Sequence, residues 1–372
     1  MKRIIVVGAG ILGASAAYQL SKKGAQVIIV DRKDKGQATD AAAGIVCPWL
    51  SQRRNKAWYE LAKAGARFYP ELIHDLEEDG EIHTGYSQVG AISLHKDEKK
   101  LEKMVERALL RRDDAPEIGE IKQLSKQETK QLFPPLADDY ASVFVSGGAR
   151  VDGRALRDSL LRAAQRNGAA LIYDEASLLY NGSRVTGVQT SSEQITADTV
   201  VVCTGAWAPQ LLRPLGVDFR VRFQKAQIAH LEAPDEKTSE WPVVMPPGTL
   251  YILAFNDKRI VAGSTHEDTE IYDTRVTAGG LSEIFSKALE TAPGLSDAAL
   301  LEARVGFRPI TPGFLPVIGP LPGWEGIFIA NGLGSSGLTV GPYLGAELAK
   351  LALGLDLEID LENYSIKEAL GD

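Results

Sequence analysis

Gly8-Ala9-Gly10-Ile11-Leu12-Gly13 constrains this chain more than any other feature, because of what stands on either side of it. Arg3 to Val7 is a short β-branched run that reads as a strand, and Ile11 to Lys23 carries apolar residues at helical spacing (Leu12, Ala16, Leu20) until Gly24 closes the helix. Gln26 to Val30 resumes strand character. Between a strand and a helix, the first glycine permits a tight turn, the second lets backbone approach a pyrophosphate, and the third lets helix and strand pack closely. The helix N-terminus adds free N–H groups and a partial positive charge. Asp31 stands 18 residues beyond Gly13 (31 − 13) and is followed by Arg32. That is near the ~20 expected of a carboxylate that binds an adenosine ribose. The pattern predicts a βαβ unit that binds an adenine dinucleotide, NAD and FAD alike.

The same glycines answer a second question. Met1-Lys2-Arg3 ahead of an apolar run to Ala17 resembles a secretory signal, but removing it would destroy the dinucleotide motif. No uninterrupted apolar run reaches the ~18–20 residues of a membrane span. A net charge of -8 argues against a phosphate-neutralising nucleic-acid face. Two cysteines, Cys47 and Cys203, make no disulfide framework, and the five histidines lack metal-ligand spacing. The chain therefore reads as cytoplasmic, with no transmembrane segment, no metal and no nucleic-acid partner; peripheral membrane association and homo-oligomer formation stay open.

Beyond the first unit come a small-residue loop (36–44), a long helix (55–78), a strand (85–95), a charged helix (96–112) and a short capped helix (125–132). α/β character returns with a helix from Asp152 to Gly168 and strands at 170–173, 184–190 and 199–203. From Phe219 to His266 the strands alternate without intervening helices, as in an antiparallel sheet. A helix (277–291), strands near 300–308 and 326–329, and a last helix bearing Leu344, Leu348 and Leu351 complete the chain. This order predicts two discontinuous domains: 1–84, 149–218 and 300–372 form the dinucleotide domain, and 85–148 with 219–299 the substrate domain.

Four further segments separate FAD from NAD. They are Thr39-Asp40-Ala41-Ala42-Ala43-Gly44-Ile45-Val46-Cys47-Pro48; Val200-Val201-Val202-Cys203-Thr204-Gly205-Ala206-Trp207; Val305-Gly306-Phe307-Arg308-Pro309 continuing to Gly319; and Asn331-Gly332-Leu333-Gly334-Ser335-Ser336-Gly337-Leu338-Thr339 before the last helix. Together they resemble the D-amino acid oxidase and dehydrogenase superfamily, which includes glycine oxidase, sarcosine oxidase and bacterial D-amino acid dehydrogenase. The resemblance spans nearly the whole chain. It implies an α/β fold with a Rossmann-type, glutathione-reductase-like FAD-binding domain and a second domain built on a mainly antiparallel sheet. It also implies that the first segment (Thr39, Ala42, Ala43, Gly44, Ile45) passes the flavin, that Thr204, Gly205 and Trp207 cover the adenosine half, and that Gly332, Gly334, Ser335, Ser336, Gly337, Leu338 and Thr339 face the flavin pyrimidine ring.

In such enzymes the flavin accepts a hydride at N5 and the protein binds, orients and tunes. The resemblance makes Arg308, beside the flavin, the cation for a substrate carboxylate, with Tyr251 offering a hydroxyl and Arg53 or Arg54 a second cation. A structural ion pair, a buried aromatic and surface charge are the respective alternatives. Gly306 stands where sarcosine oxidase attaches its flavin to cysteine, so the FAD is expected to be non-covalent. Val261 and Thr339 replace a lysine that activates oxygen and a second carboxylate-binding cation, and Leu333 to Ser336 lack the arginine of glycine oxidase. The segment around Arg308 reads closest to D-amino acid dehydrogenases. The expectation is an FAD-dependent enzyme that oxidises the CH–NH bond of a small amino acid by hydride transfer from Cα to N5, with oxygen or a quinone or other carrier as acceptor. A glycine- or sarcosine-type oxidase, and a flavin subunit acting on a macromolecular amine, are the competing readings.

Overall fold

Arg3–Val7, Gln26–Val30 and Thr199–Val202 are Val- and Ile-rich and buried along nearly their whole length, as strands covered on both faces must be. In the computed structural model, which describes residues 1–234 and 237–371, they are neighbours. They lie in a six-stranded sheet ordered Val317–Pro320, Ile327–Asn331, Thr199–Val202, Arg3–Val7, Gln26–Val30, Ala170–Ile172. All pairs are parallel except the first, which is antiparallel. Helices Ile11–Lys22, Gly153–Arg166 and Gly337–Leu353 cover one face, burying Ile4, Val6, Val27 and Ile29. The first and last of these approach closely because Gly345 leaves room: a Cβ there would lie 2.7 Å from that of Ser15.

The opposite face, with Ile5, Val7, Ile28 and Val200, is covered mainly by a second small sheet. Arg184–Gln189 does not extend the parallel sheet; it pairs antiparallel with Ser177–Asn181 and Gln194–Thr196. Val185 and Val188 are buried while Arg184 is exposed and Thr186 and Gln189 are half-buried, the mark of a strand covered on one face.

A nine-stranded sheet forms the other half. Its path runs Glu267–Asp268, Arg222–Glu232, Arg259–Gly263, Tyr251–Ala254, Val243–Met245, Ala91–His95, Ala141–Val145, Ile121–Leu124, with Ala299–Ile310 along the free side of Arg222–Glu232. The pairing is antiparallel except between Val243–Met245 and Ala91–His95. The expected strand from Gly85 shortens to Ala91–His95, because Gly85 and Gly90 take positive φ (73° and 78°) and turn the chain. Helix Ala278–Thr291 packs its Ile284 and Ala288 on this sheet. Ala299–Ile310 starts where the sequence suggests a return to the dinucleotide half, yet it pairs with Arg222–Glu232 along its length and touches the first half through Gln37 opposite Phe307.

Candidate active site

A cavity of about 1010 Å³ runs from the C-terminal ends of the parallel strands, at Val7, Val30 and Cys203, across to the nine-stranded sheet. Small-molecule sites span ~300–1,000 Å³, so this one has the volume of a large-ligand site.

At the parallel-sheet end the wall is mostly backbone. Gly8 has φ 100°, and a Cβ on it would lie 2.5 Å from the Cys203 carbonyl oxygen; one on Gly13 would lie 1.8 Å from that of Gly8. These two glycines serve the turn and its packing, and Gly13 does not reach the cavity. Gly10 does: a Cβ there would find only Thr39 Oγ1, at 3.4 Å. Gly10 caps the helix without a side-chain bond, and the Ile11 N–H donates to Thr39 Oγ1 at 3.0 Å. Leu12 lies beside them on the wall. The buried Asp31 carboxylate accepts from the Ala9 N–H (2.7 Å), the Lys33 N–H (2.6 Å) and Gln37 Nε2 (3.0 Å), so it braces the glycine turn as well as facing the cavity. Arg32 lines the wall with its charge already met by Asp34 and Glu175, each at 2.8 Å.

Ala42, Ala43, Gly44 and Ile45 pass along one side, and Thr204, Gly205 and Trp207 along another. The Thr204 hydroxyl is buried without a hydrogen-bond partner. An orphaned polar group costs about 1–3 kcal/mol unless something bonds it, which suits a site that holds a polar ligand. The turn from Gly332 through Gly334, Ser335, Ser336, Gly337 and Leu338 brings the N-terminus of the last helix to the wall, and no side chain caps it. Thr339 spends its hydroxyl on the Ile45 carbonyl, at 2.8 Å. Size, backbone donors and orphaned hydroxyl together fit a dinucleotide.

At the far end the wall is made of side chains. Arg308 is half-buried on Ala299–Ile310; its Nη2 donates to Ser264 Oγ, and no carboxylate pairs with it among the described residues. The ion-pair alternative therefore has no partner here, leaving a guanidinium fork turned to the cavity. Tyr251 opens the neighbouring Tyr251–Ala254 strand, and its hydroxyl has no hydrogen bond among the described residues. His266 also lines this end; burial and then the charge of Arg308 lower its pKa.

Arg53 does not reach the wall. It donates to the Phe314 carbonyl at 2.6 Å and lies 4.8 Å over the Trp58 ring, its pKa lowered by burial. Trp58 does line the cavity and donates to Ser336 Oγ at 2.9 Å. Arg54 is exposed and lines no part of the cavity. Cys47 is buried beside the cavity, and burial pushes its thiol up to about 12, which makes it inert as a nucleophile. Ser264, Trp58 and His266 escaped the sequence reading: no local spacing marks them, and only strand register brings Ser264 to Arg308.

Residues 3–351 match the model of a family described as FAD dependent oxidoreductase. A relative from Bacillus subtilis (strain 168), "Uncharacterized oxidoreductase YurR", is 63% identical over 371 residues, covering 100% of both chains. A glycine oxidase of Pseudomonas aeruginosa is 30% identical, covering 98% of each chain. The crystal structure of iminodiacetate oxidase from Chelativorans sp. BNC1 superposes with a TM-score of 0.94 at 48% identity, covering 98% of each chain. No helix among the described residues is long and apolar enough to cross a membrane.

Proposed function

The chain belongs to the family of FAD-dependent oxidoreductases, and from that premise we propose that it oxidises the CH–NH bond of a small amino acid, primary or N-substituted, by hydride transfer from Cα to flavin N5. The observation that carries the reading is the half-buried Arg308 without a carboxylate partner, beside the unbonded hydroxyl of Tyr251, at the far end of a cavity whose near end is built for a dinucleotide. Glycine oxidase and iminodiacetate oxidase, the named activities of the relatives, both act on amino acids of this size and support it.

FAD would be held by Gly10, Ile11 and Leu12 at the pyrophosphate, by Asp31 at the adenosine ribose, by Thr204, Gly205 and Trp207 over the adenosine half, by the loop from Thr39 to Ile45, and by the helix N-terminus at Gly334–Thr339 against the pyrimidine ring. Bound there it supplies the hydride acceptor. Arg308 grips the substrate carboxylate with two parallel hydrogen bonds, Ser264 fixes the fork, and Tyr251 adds a third donor. The amine must be neutral for its lone pair to drive hydride loss, and no side chain here forms an acid–base dyad. Water hydrolyses the imine afterwards. With Gly306 in the place of an attachment cysteine, the FAD would be held non-covalently, and the buried Cys47 and Cys203, though beside the cavity, are not at that position.

Two finer points belong to the proposal. Val261, in the place of an oxygen-activating lysine, is buried in the sheet with no cation to offer, which favours the D-amino acid dehydrogenase reading and an acceptor other than oxygen. We also assign 1–84, 149–218 and 300–372 to the FAD domain and 85–148 with 219–299 to the substrate domain, with Ala299–Ile310 as the strand they share. The deciding experiment is anaerobic titration of the yellow protein with glycine, sarcosine, iminodiacetate, and D- and L-amino acids, read as loss of flavin absorbance. Bleaching by one of them is expected, and admitting oxygen then separates oxidase from dehydrogenase. A flavin that none of them reduces overturns the reading.

A further inference from the structure

The cavity does not stop at Arg308 and Tyr251. It continues under the nine-stranded sheet to Ser93 and His95 on Ala91–His95 and to Lys100 and Met104 on the helix Glu98–Arg112. The reading of a flavin-dependent amino acid oxidation assigns no work to this extension, yet its chemistry is definite. Lys100 has no ion pair among the described residues and stands exposed where the cavity opens. His95 Nδ1 accepts the Asp97 N–H at 2.9 Å, which fixes the tautomer that leaves Nε2–H as a donor. The same wall carries Met104, Met245, Leu50 and Leu250, interspersed with the uncharged Ser51, Gln52 and Thr249.

We propose that His95 and Lys100 form a distal subsite for a second anionic group, so that the substrate is an amino acid whose side chain or amine substituent is an apolar spacer ending in an anion. This inference rests on the proposed function, which sets the α-carboxylate at Arg308. The span is set by the sheet. From Ala299–Ile310 to Ala91–His95 there are five ladder steps, and at ~4.8 Å each the strands are roughly 24 Å apart. Lys100 lies beyond Ala91–His95, on the helix that follows it. A spacer of several methylenes suits such a separation better than a two-carbon one, with Met104 and Met245 adapting to its shape.

The test reads binding alone, so its failure is distinct from that of the catalytic reading. FAD holoenzyme is titrated with straight-chain dicarboxylates from malonate to suberate and with monocarboxylates of matching length, and the flavin absorbance shift gives each Kd. The wild type is expected to bind a dicarboxylate of intermediate or greater length about tenfold more tightly than its monocarboxylate partner. Lys100→Ala should bring that ratio near one, and Lys100→Arg, which keeps the charge, should preserve it. A wild-type ratio near one at every length, or a ratio that Lys100→Ala leaves intact, overturns the proposal. Which amines reduce the flavin is a separate measurement and does not enter this one.

Discussion

The two ends of the cavity are built from different material. At the parallel-sheet end the wall is mostly backbone: glycine turns, two helix N-termini whose N-cap residues make no side-chain bond, and small side chains, with Arg32 already neutralised. At the end under the nine-stranded sheet it is side chain: Arg308, Tyr251, and Ser264 with His266, from three different stretches of strand or its edge. The difference teaches where tolerance lies. A backbone wall fails when a Cβ is added and ignores most other changes, whereas a side-chain wall fails when one functional group is exchanged.

The largest effect expected from that contrast is at Gly10. Gly10→Val should fold, since nothing but Thr39 Oγ1 lies near the added Cβ, and should purify colourless, because the side chain occupies the pyrophosphate position. Flavin absorbance against total protein, with circular dichroism as the fold control, reads both halves of this expectation; a yellow variant would break the contrast at its strongest point. At the other end, Arg308→Lys should leave the flavin spectrum intact and lower kcat/KM about a hundredfold, because an ammonium cannot reproduce the planar fork. Unchanged kinetics would remove Arg308 from the site.

The nine-stranded half also carries a buried titratable group. His230, on Arg222–Glu232, is 1% exposed with neither ring nitrogen bonded, and burial, followed by the charges of Arg304 and Arg259, lowers its pKa to about 4. The unfolded chain takes up this proton below about pH 6.5 and the folded chain does not until about pH 4. Stability should therefore fall as pH drops through that window, by an amount on the order of 3 kcal/mol, and level off below it. Urea titrations at pH 7 and pH 4.5 should show this loss, smaller by that order in His230→Leu than in the wild type. Smallest is Tyr251→Phe, for which KM should rise a few-fold at constant kcat, the worth of one hydrogen bond, about 1 kcal/mol.

The same contrast explains what was legible in the sequence. Gly8, Gly10, Gly13 and Asp31 act through local geometry at fixed spacing, so strand, turn and helix could be read before any fold was known, and the helices from 55 to 78 and from 152 onward followed from their periodicity. Ser264 and His266 act through register, meeting Arg308 or the cavity only because distant strands pair as they do, and Trp58 through the packing of its helix, which brings it to Ser336. Arg308 was reachable from its family segment and not from its neighbours in the chain. Arg53 shows the limit of that route, since its guanidinium is engaged by Phe314 and Trp58 behind the wall. The strand at 184–189 was legible from its composition, whereas its antiparallel partners Ser177–Asn181 and Gln194–Thr196 were not.

The order of strands in the parallel sheet has a kinetic meaning. Arg3–Val7 hydrogen-bonds on one side to Thr199–Val202, which in turn needs Ile327–Asn331. Arg3–Val7 thus waits for partners made much later, and at ~5–20 residues per second that delay is many seconds. Contacts of such separation close slowly. Until the last helix docks, the glycine turn at Gly8–Gly13 lacks the opposite wall that Gly332–Thr339 supplies, so the dinucleotide motif is made long before the cavity it opens onto is complete.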